Sequence, residues 1–176
     1  MFPAIRALLR ARGRRKLAEI VGNYGHHDTD HYWRLVEQQM EYQERFAAAL
    51  DENEDGPIDL ILCPAFPLPA MRHGASEEFT VAGTFTCLYN VLGYSTGIVP
   101  VTRVREREEI GRAPGKDKMD QAAYQTEVGS AGLPIGVQVV ARPWREHVAL
   151  AAMAGIERAV RESGEMPRIA PFAGDR

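Results

Sequence analysis

Three short apolar runs set what this chain can build: Ile58-Asp59-Leu60-Ile61-Leu62-Cys63, Gly97-Ile98-Val99-Pro100-Val101-Thr102 and Ile135-Gly136-Val137-Gln138-Val139-Val140. Each is too short to be an independent helix, and Gly or Pro lies in or beside each, so each reads as a strand. None alternates as a strand with one wet face would. That pattern predicts strands covered on both faces, in a mostly parallel sheet. Pro100 lacks an N–H for a ladder bond, so the second run is expected at an edge or a bulge.

Helical spacing fills the intervals. Ile5, Leu8 and Leu9 share a stripe over residues 3–12, Gly13 interrupts it, and Leu17, Ile20 and Val21 resume it before the stop at Gly22-Asn23-Tyr24-Gly25. Asp28 or Thr29 can cap a helix over residues 30–50. Further helices are expected over 80–92, 118–128 and 146–160. Residues 64–79 read as a loop, 103–118 as a charged surface excursion, and 163–176 as a loose tail. The order of helix, helix, strand, helix, strand, helix, strand, helix predicts an α/β chain. A sheet of three such strands leaves two long, apolar, uncovered edges. The chain therefore reads better as part of a larger sheet than as a finished domain.

Composition excludes several classes. The net charge of −3 over 176 residues argues against whole-chain nucleic-acid binding. No stretch of about 20 apolar residues spans a bilayer. Cys63 and Cys87 lie in apolar runs and read as reduced and buried, which points to a cytoplasmic setting. The first 24 residues differ from the rest. Arg6, Arg10, Arg12, Arg14, Arg15 and Lys16 all precede the first acid, Glu19. That start resembles a mitochondrial transit peptide in composition. It also reads as a basic amphipathic segment for an anionic membrane surface, beside the plainer reading of a solvated surface helix.

Motifs for chemistry are sparse. His26-His27-Asp28-Thr29-Asp30-His31 places two histidines four apart, but no spacing fixes a third metal ligand. Cys87 in its apolar helix reads as packing and not as a nucleophile. No glycine-rich phosphate loop and no GxSxG elbow is present. Ser130 sits in a small-residue turn, and Arg105-Glu106-Arg107-Glu108-Glu109 reads as a solvated loop.

Three passages taken together carry a family resemblance. They are Asp59-Leu60-Ile61-Leu62-Cys63-Pro64, Leu88-Tyr89-Asn90-Val91-Leu92 continuing to Gly97-Ile98-Val99-Pro100-Val101-Thr102, and Gly132-Leu133-Pro134-Ile135-Gly136-Val137-Gln138-Val139-Val140-Ala141 with Pro143-Trp144-Arg145-Glu146 after it. The helix with Tyr32-Trp33 and Glu41-Tyr42-Gln43 fits as well. This order resembles the C-terminal portion of the amidase-signature family, and the fatty-acid amide hydrolases in particular. One departure is Gly93-Tyr94-Ser95-Thr96-Gly97, where the family usually has Pro-Ala before the glycine.

The resemblance implies an α/β/α sandwich and an amide hydrolase that needs no cofactor and no metal. Its serine nucleophile, its second serine in a cis peptide, its lysine and its oxyanion loop all belong to segments N-terminal to this region. No residue here matches them, so no catalytic residue is assigned, and the chain alone is expected to be inactive. By position, the resemblance gives Ile20, Tyr24, Thr80, Gly83 and Cys87 as lining of an acyl channel. It gives residues 1–24 as a cap, with Ile5, Arg6, Leu9 and Arg10 facing a membrane. The partners it implies are an amide or lipid-amide substrate, an N-terminal half of the amidase, a peripheral membrane contact and a second copy in a homodimer. Nucleic acid is not among them. Two other readings stand beside it: a non-catalytic module or half of a split amidase, and a membrane-surface binding protein.

Overall fold

The computed structural model describes residues 2–22, 25, 27–79, 83–109 and 111–167. Helices α1 (Phe2–Ala11), α2 (Arg15–Val21) and α3 (Thr29–Asp51) precede the first strand, β1 (Leu60–Pro64). A 3₁₀ turn (Ala75–Phe79) follows, then α4 (Thr84–Leu92), β2 (Ser95–Arg103), α5 (Lys118–Glu127), β3 (Pro134–Ala141) and α6 (Glu146–Ser163). This is the expected α/β alternation.

The sheet order is β1-β3-β2, and both pairings are antiparallel. The expectation of a mostly parallel sheet is therefore corrected for the described strands. The physical reason lies in β3. Val139, Val140 and Ala141 are all buried because helices cover both faces of this central strand. An unbroken apolar run reports two covered faces and says nothing about strand direction. β1 and β2 run parallel to each other, on either side of β3 and joined through α4, so the unit is a split β-α-β.

Register shows which helix covers which face. Leu60, Ala141 and Ser95 align, as do Leu62, Val139 and Gly97, and this face packs under α6 through Ala149, Ala152, Met153 and Ile156. On the other face Ile61 aligns with Val140, and Cys63 with Gln138. There Tyr89 and Leu92 of α4 pack down, with Phe46 of α3 beside them. Leu62 on the α6 face and Ile98 on the α4 face nonetheless stay exposed.

Local chemistry explains the boundaries. The Asp28 side chain accepts from the His31 backbone N–H at 2.7 Å and caps α3. Gly93 adopts φ 70°, and the Tyr94 N–H reaches back to the Tyr89 carbonyl, closing α4 with a left-handed C-cap. Pro100 sits on an edge strand beside a register shift between Pro100 and Thr102. Both edges are better guarded than the apolar runs imply. β1 has only five residues. At the end of β2, Thr102 and Arg103 hold Glu165 and the Met166 carbonyl, each at 3.4 Å. Pro167 is buried, and the rest of the expected loose tail lies outside the described residues.

Trp144 is the one non-glycine among the described residues with positive φ, at 65°, in the turn from β3 to α6. An L side chain there costs about 1–2 kcal/mol. In dilute protein, Trp144→Gly should raise stability by about 0.5–1 kcal/mol, after allowance for the freer unfolded chain. Trp144→Ala keeps the strain and should show no gain. Thermal midpoints of the two variants check this.

Candidate functional site

The residues expected to line a channel fall in different places. Gly83 is the N-cap of α4, and its carbonyl accepts from the Cys87 N–H at 2.8 Å and the Thr86 hydroxyl at 2.9 Å. Cys87 lies one turn on. A side chain at Gly83 would meet its Sγ at an ordinary 3.7 Å, so the glycine leaves room there. Cys87 is exposed and Cys63 half-buried, and both are free. The expectation that both are buried is corrected, because the sheet covers α4 on the Tyr89/Leu92 side and Cys87 faces away from it. Ile20 is half-buried on α2, which packs with α1. Tyr24 and Thr80 lie outside the described residues. The structure thus brings Gly83 and Cys87 together.

Between α4 and the sheet runs a polar seam that the sequence did not single out. Gln138 is 1% exposed, and its Nε2 donates to the Phe85 carbonyl at 3.4 Å and to Cys63 Sγ at 3.7 Å. The Tyr89 hydroxyl shares a hydrogen bond with Cys63, and burial foremost pushes the Tyr89 pKa up to about 12. Gln138 therefore ties β3, β1 and α4 through one side chain, and fixes α4, with Gly83 and Cys87, against the sheet.

A cavity of about 160 Å³ opens between the 64–79 loop and α5, lined by Pro67, Leu68, Phe79, Met119, Ala123 and the polar pair Arg112 and Asp120. Phe66 packs edge-on against Phe79 behind it. Arg112 Nε binds both oxygens of Glu127, at 3.0 and 3.2 Å. An engineered cavity of about this size admits a benzene. A branched or ring-sized apolar group therefore fits, with charged groups at its rim. Met119 and Ala123 at i, i+4 were the available signal on the α5 side.

The α1–α2 segment is docked and is not a free arm. At the junction of α1 and α2, the Arg15 N–H donates to Asp117 at 3.0 Å, and the Gly13 carbonyl accepts from the Lys118 N–H at 3.2 Å. On α1, Ile5, Leu8 and Arg10 are exposed. Arg6 and Leu9 are half-buried, and the Arg6 guanidinium lies 3.0 Å from where a Gly22 side chain would begin.

Ser95, Lys118 and Ser130 lie on separate elements. Ser95 on β2 donates to Glu146 at 2.8 Å, Lys118 opens α5, and Ser130 sits in the α5–β3 turn. Ser130 is 1% exposed, and its Oγ has no partner. A buried hydroxyl without a partner gains nothing from being polar. Ser130→Ala should therefore be neutral or stabilising by up to about 1 kcal/mol in urea denaturation. Among the described residues, no group of three or more His, Cys, Asp or Glu is placed to hold a metal. His27 and His31 stack ring on ring at 4.0 Å.

Comparison with known proteins bears out the family resemblance. Residues 3–150 match the Amidase family profile. The chain is similar to fatty acid amide hydrolase 1 of Caenorhabditis elegans, with 39% identity over 122 residues, which cover 68% of this chain and 21% of that protein. It is similar to fatty-acid amide hydrolase 1 of Sus scrofa, with 36% identity over 105 residues, 57% of this chain and 18% of that protein. Amidase FG08078 of Gibberella zeae is 28% identical over 119 residues, 60% of this chain and 21% of its own length. The chain thus spans about a fifth of the length of the curated relatives it matches. With the profile covering most of its residues, the chain belongs to the amidase family.

Proposed function

We propose that this chain is the C-terminal portion of an amide hydrolase acting on fatty-acid amides, and that it supplies substrate-channel wall and not the reacting groups. The observation that carries this is the 39% identity to a fatty acid amide hydrolase over two thirds of the chain. The exposed Cys87 beside the open Gly83 position supports the channel role. In this reading the serines and lysine of the reaction come from an N-terminal portion. The chain alone hydrolyses no long-chain amide, and turnover that a serine-directed fluorophosphonate abolishes would refute that.

The channel role has its own test. In a Cys63→Ser background, a long-chain amide should slow alkylation of Cys87 several-fold, because it covers the thiol. Equal rates with and without the amide would remove Cys87 from the channel.

A membrane approach through α1 belongs to the same proposal. Ile5 and Leu8 are exposed beside Arg10, the arrangement for shallow contact with anionic lipid. Among the described residues, no helix is long and apolar enough to cross a membrane. Co-sedimentation with anionic vesicles should exceed that with neutral ones and fall with salt. Equal, negligible binding to both would end the membrane reading.

A further inference from the structure

Away from the cavity beside α5, a larger one of about 290 Å³ opens between α3, the end of α4 and the turn after β3. Ala47, Leu92 and Pro143 give it apolar walls, and Arg142, Tyr94 and Glu44 bring polar groups to it. Arg142 is held in place by the protein itself. Its Nε and Nη2 donate to the Ile58 carbonyl at 3.3 and 3.2 Å, and Nη2 lies 2.7 Å from Asp51. Among the described residues Nη1 makes no hydrogen bond, so the guanidinium fork keeps donors for a ligand. Tyr94 is held edge-on against Phe46, and its hydroxyl lies near enough to feel the charges of both Arg142 and Asp51. Glu44 adds an exposed carboxylate from α3. Gln43 is committed elsewhere, because its Nε2 donates to the Val91 carbonyl at 2.7 Å.

These charges select the class of ligand. Arg142 opposes a cation and Glu44 opposes an anion. Asp51 already balances the guanidinium, so a carboxylate gains little by pairing with it. A neutral head that both accepts and donates suits the cavity better. A primary carboxamide is such a head: its carbonyl oxygen accepts from Arg142 and Tyr94, and its NH₂ donates to Glu44. Two of these bonds involve an ionised partner and are the stronger for it. Burial raises the Tyr94 pKa against the pull of Arg142, which keeps the phenol a donor well past neutral pH. About 150 Å³ admits a benzene, so the cavity takes the head and a tail of about six carbons.

We propose that this cavity binds a short primary carboxamide, with its head at Arg142, Tyr94 and Glu44 and its tail on Ala47, Leu92 and Pro143. None of these residues belongs to the channel reading, so failure of either idea leaves the other standing.

Titration of the full chain with hexanamide, followed by backbone-amide NMR, tests the proposal. Shifts should cluster at Ala47, Leu92 and Tyr94, with a Kd of about 1–10 mM, the strength usual for so small a ligand. Hexanoate and hexylamine carry the same chain and should each bind at least about fivefold more weakly. Norleucine carries both charges and should also bind more weakly than the amide. Tyr94→Phe keeps the ring against Phe46 and should weaken hexanamide several-fold. Ala47→Leu fills the cavity and should remove the shifts. Glu44→Gln, at an exposed position that leaves folding unaffected, should bring hexanoate to within about twofold of hexanamide. No shift at these residues up to the solubility of hexanamide would overturn the proposal. So would an acid, amine or norleucine that binds the parent as tightly as the amide, or a preference for amide over acid that Glu44→Gln leaves unchanged.

Discussion

Leu92→Ala should lower the unfolding free energy by about 3–4 kcal/mol, against less than about 0.5 kcal/mol for Leu150→Ala. The two residues are chemically the same, and burial separates them. Leu92 is 3% exposed and packs with Tyr89 and Val140 in the layer between α4 and the sheet, whereas Leu150 is 63% exposed. Truncation removes apolar contact and leaves a void, and the void costs more where neighbours cannot close it. Here they cannot. Leu92 already borders an opening of about 290 Å³, shared with Ala47, Tyr94 and Pro143. Tyr94 is also held edge-on against Phe46. Native domains are stable by about 5–15 kcal/mol, so this one change removes a large fraction of the total. Urea denaturation with an unchanged slope would assign the loss to the folded core. A Leu92→Ala cost below about 1 kcal/mol would mean that α4 is not seated on the sheet as described.

Element positions were legible because local rules act on neighbouring residues. Asp28 marks the start of α3, Gly93 the end of α4, and Pro100 the irregularity in β2, each through backbone chemistry carried by that residue alone. Strand direction was not legible. The same apolar run serves a parallel or an antiparallel central strand once helices cover both faces, as α6 and α4 do for β3.

Gly83 and Cys87 entered through the family resemblance, and the fold sets them on one helical turn. The cavity beside α5 joins Pro67 to Ala123 across a loop without periodicity, and no pattern in the chain marks that meeting. Cys87 misled because α4 is apolar on more than one side. Phe85 and Val91 are 38% and 43% exposed, so apolar composition did not show which side the sheet would cover. Gln138 lies in an apolar run and is buried as that run predicts, with the Phe85 carbonyl and Cys63 Sγ accepting its protons.

That seam gives the second large effect, an alkaline limb in stability that Tyr89→Phe reduces to what Tyr94 contributes. Desolvation by burial is the main cause of the high Tyr89 pKa of about 12, helped by the hydrogen bond to Cys63 and by the proximity of Cys63 and Tyr42. The unfolded tyrosine ionises near its ordinary value of about 10. Below pH 10 both states hold the proton, and stability does not depend on this group. Between pH 10 and 12 the unfolded chain releases it while the folded chain keeps it. The proton count is then higher in the folded state, so stability falls as pH rises. The loss approaches about 2–3 kcal/mol near pH 12, because each pH unit crossed between the two ionisations removes roughly 1.4 kcal/mol. Burial also raises the Tyr94 pKa, partly offset by Arg142, so Tyr94 adds a loss of the same sign. Phenylalanine at position 89 cannot ionise and removes the Tyr89 share. It also leaves the Cys63 thiol short of one partner, at a cost of about 1 kcal/mol that is already present at pH 7. Urea midpoints measured from pH 8 to 12 should therefore start lower for Tyr89→Phe and cross those of the parent as the parent falls. Parallel curves across the whole range would show that the Tyr89 hydroxyl reaches solvent, and that the seam from β3 through β1 to α4 is open.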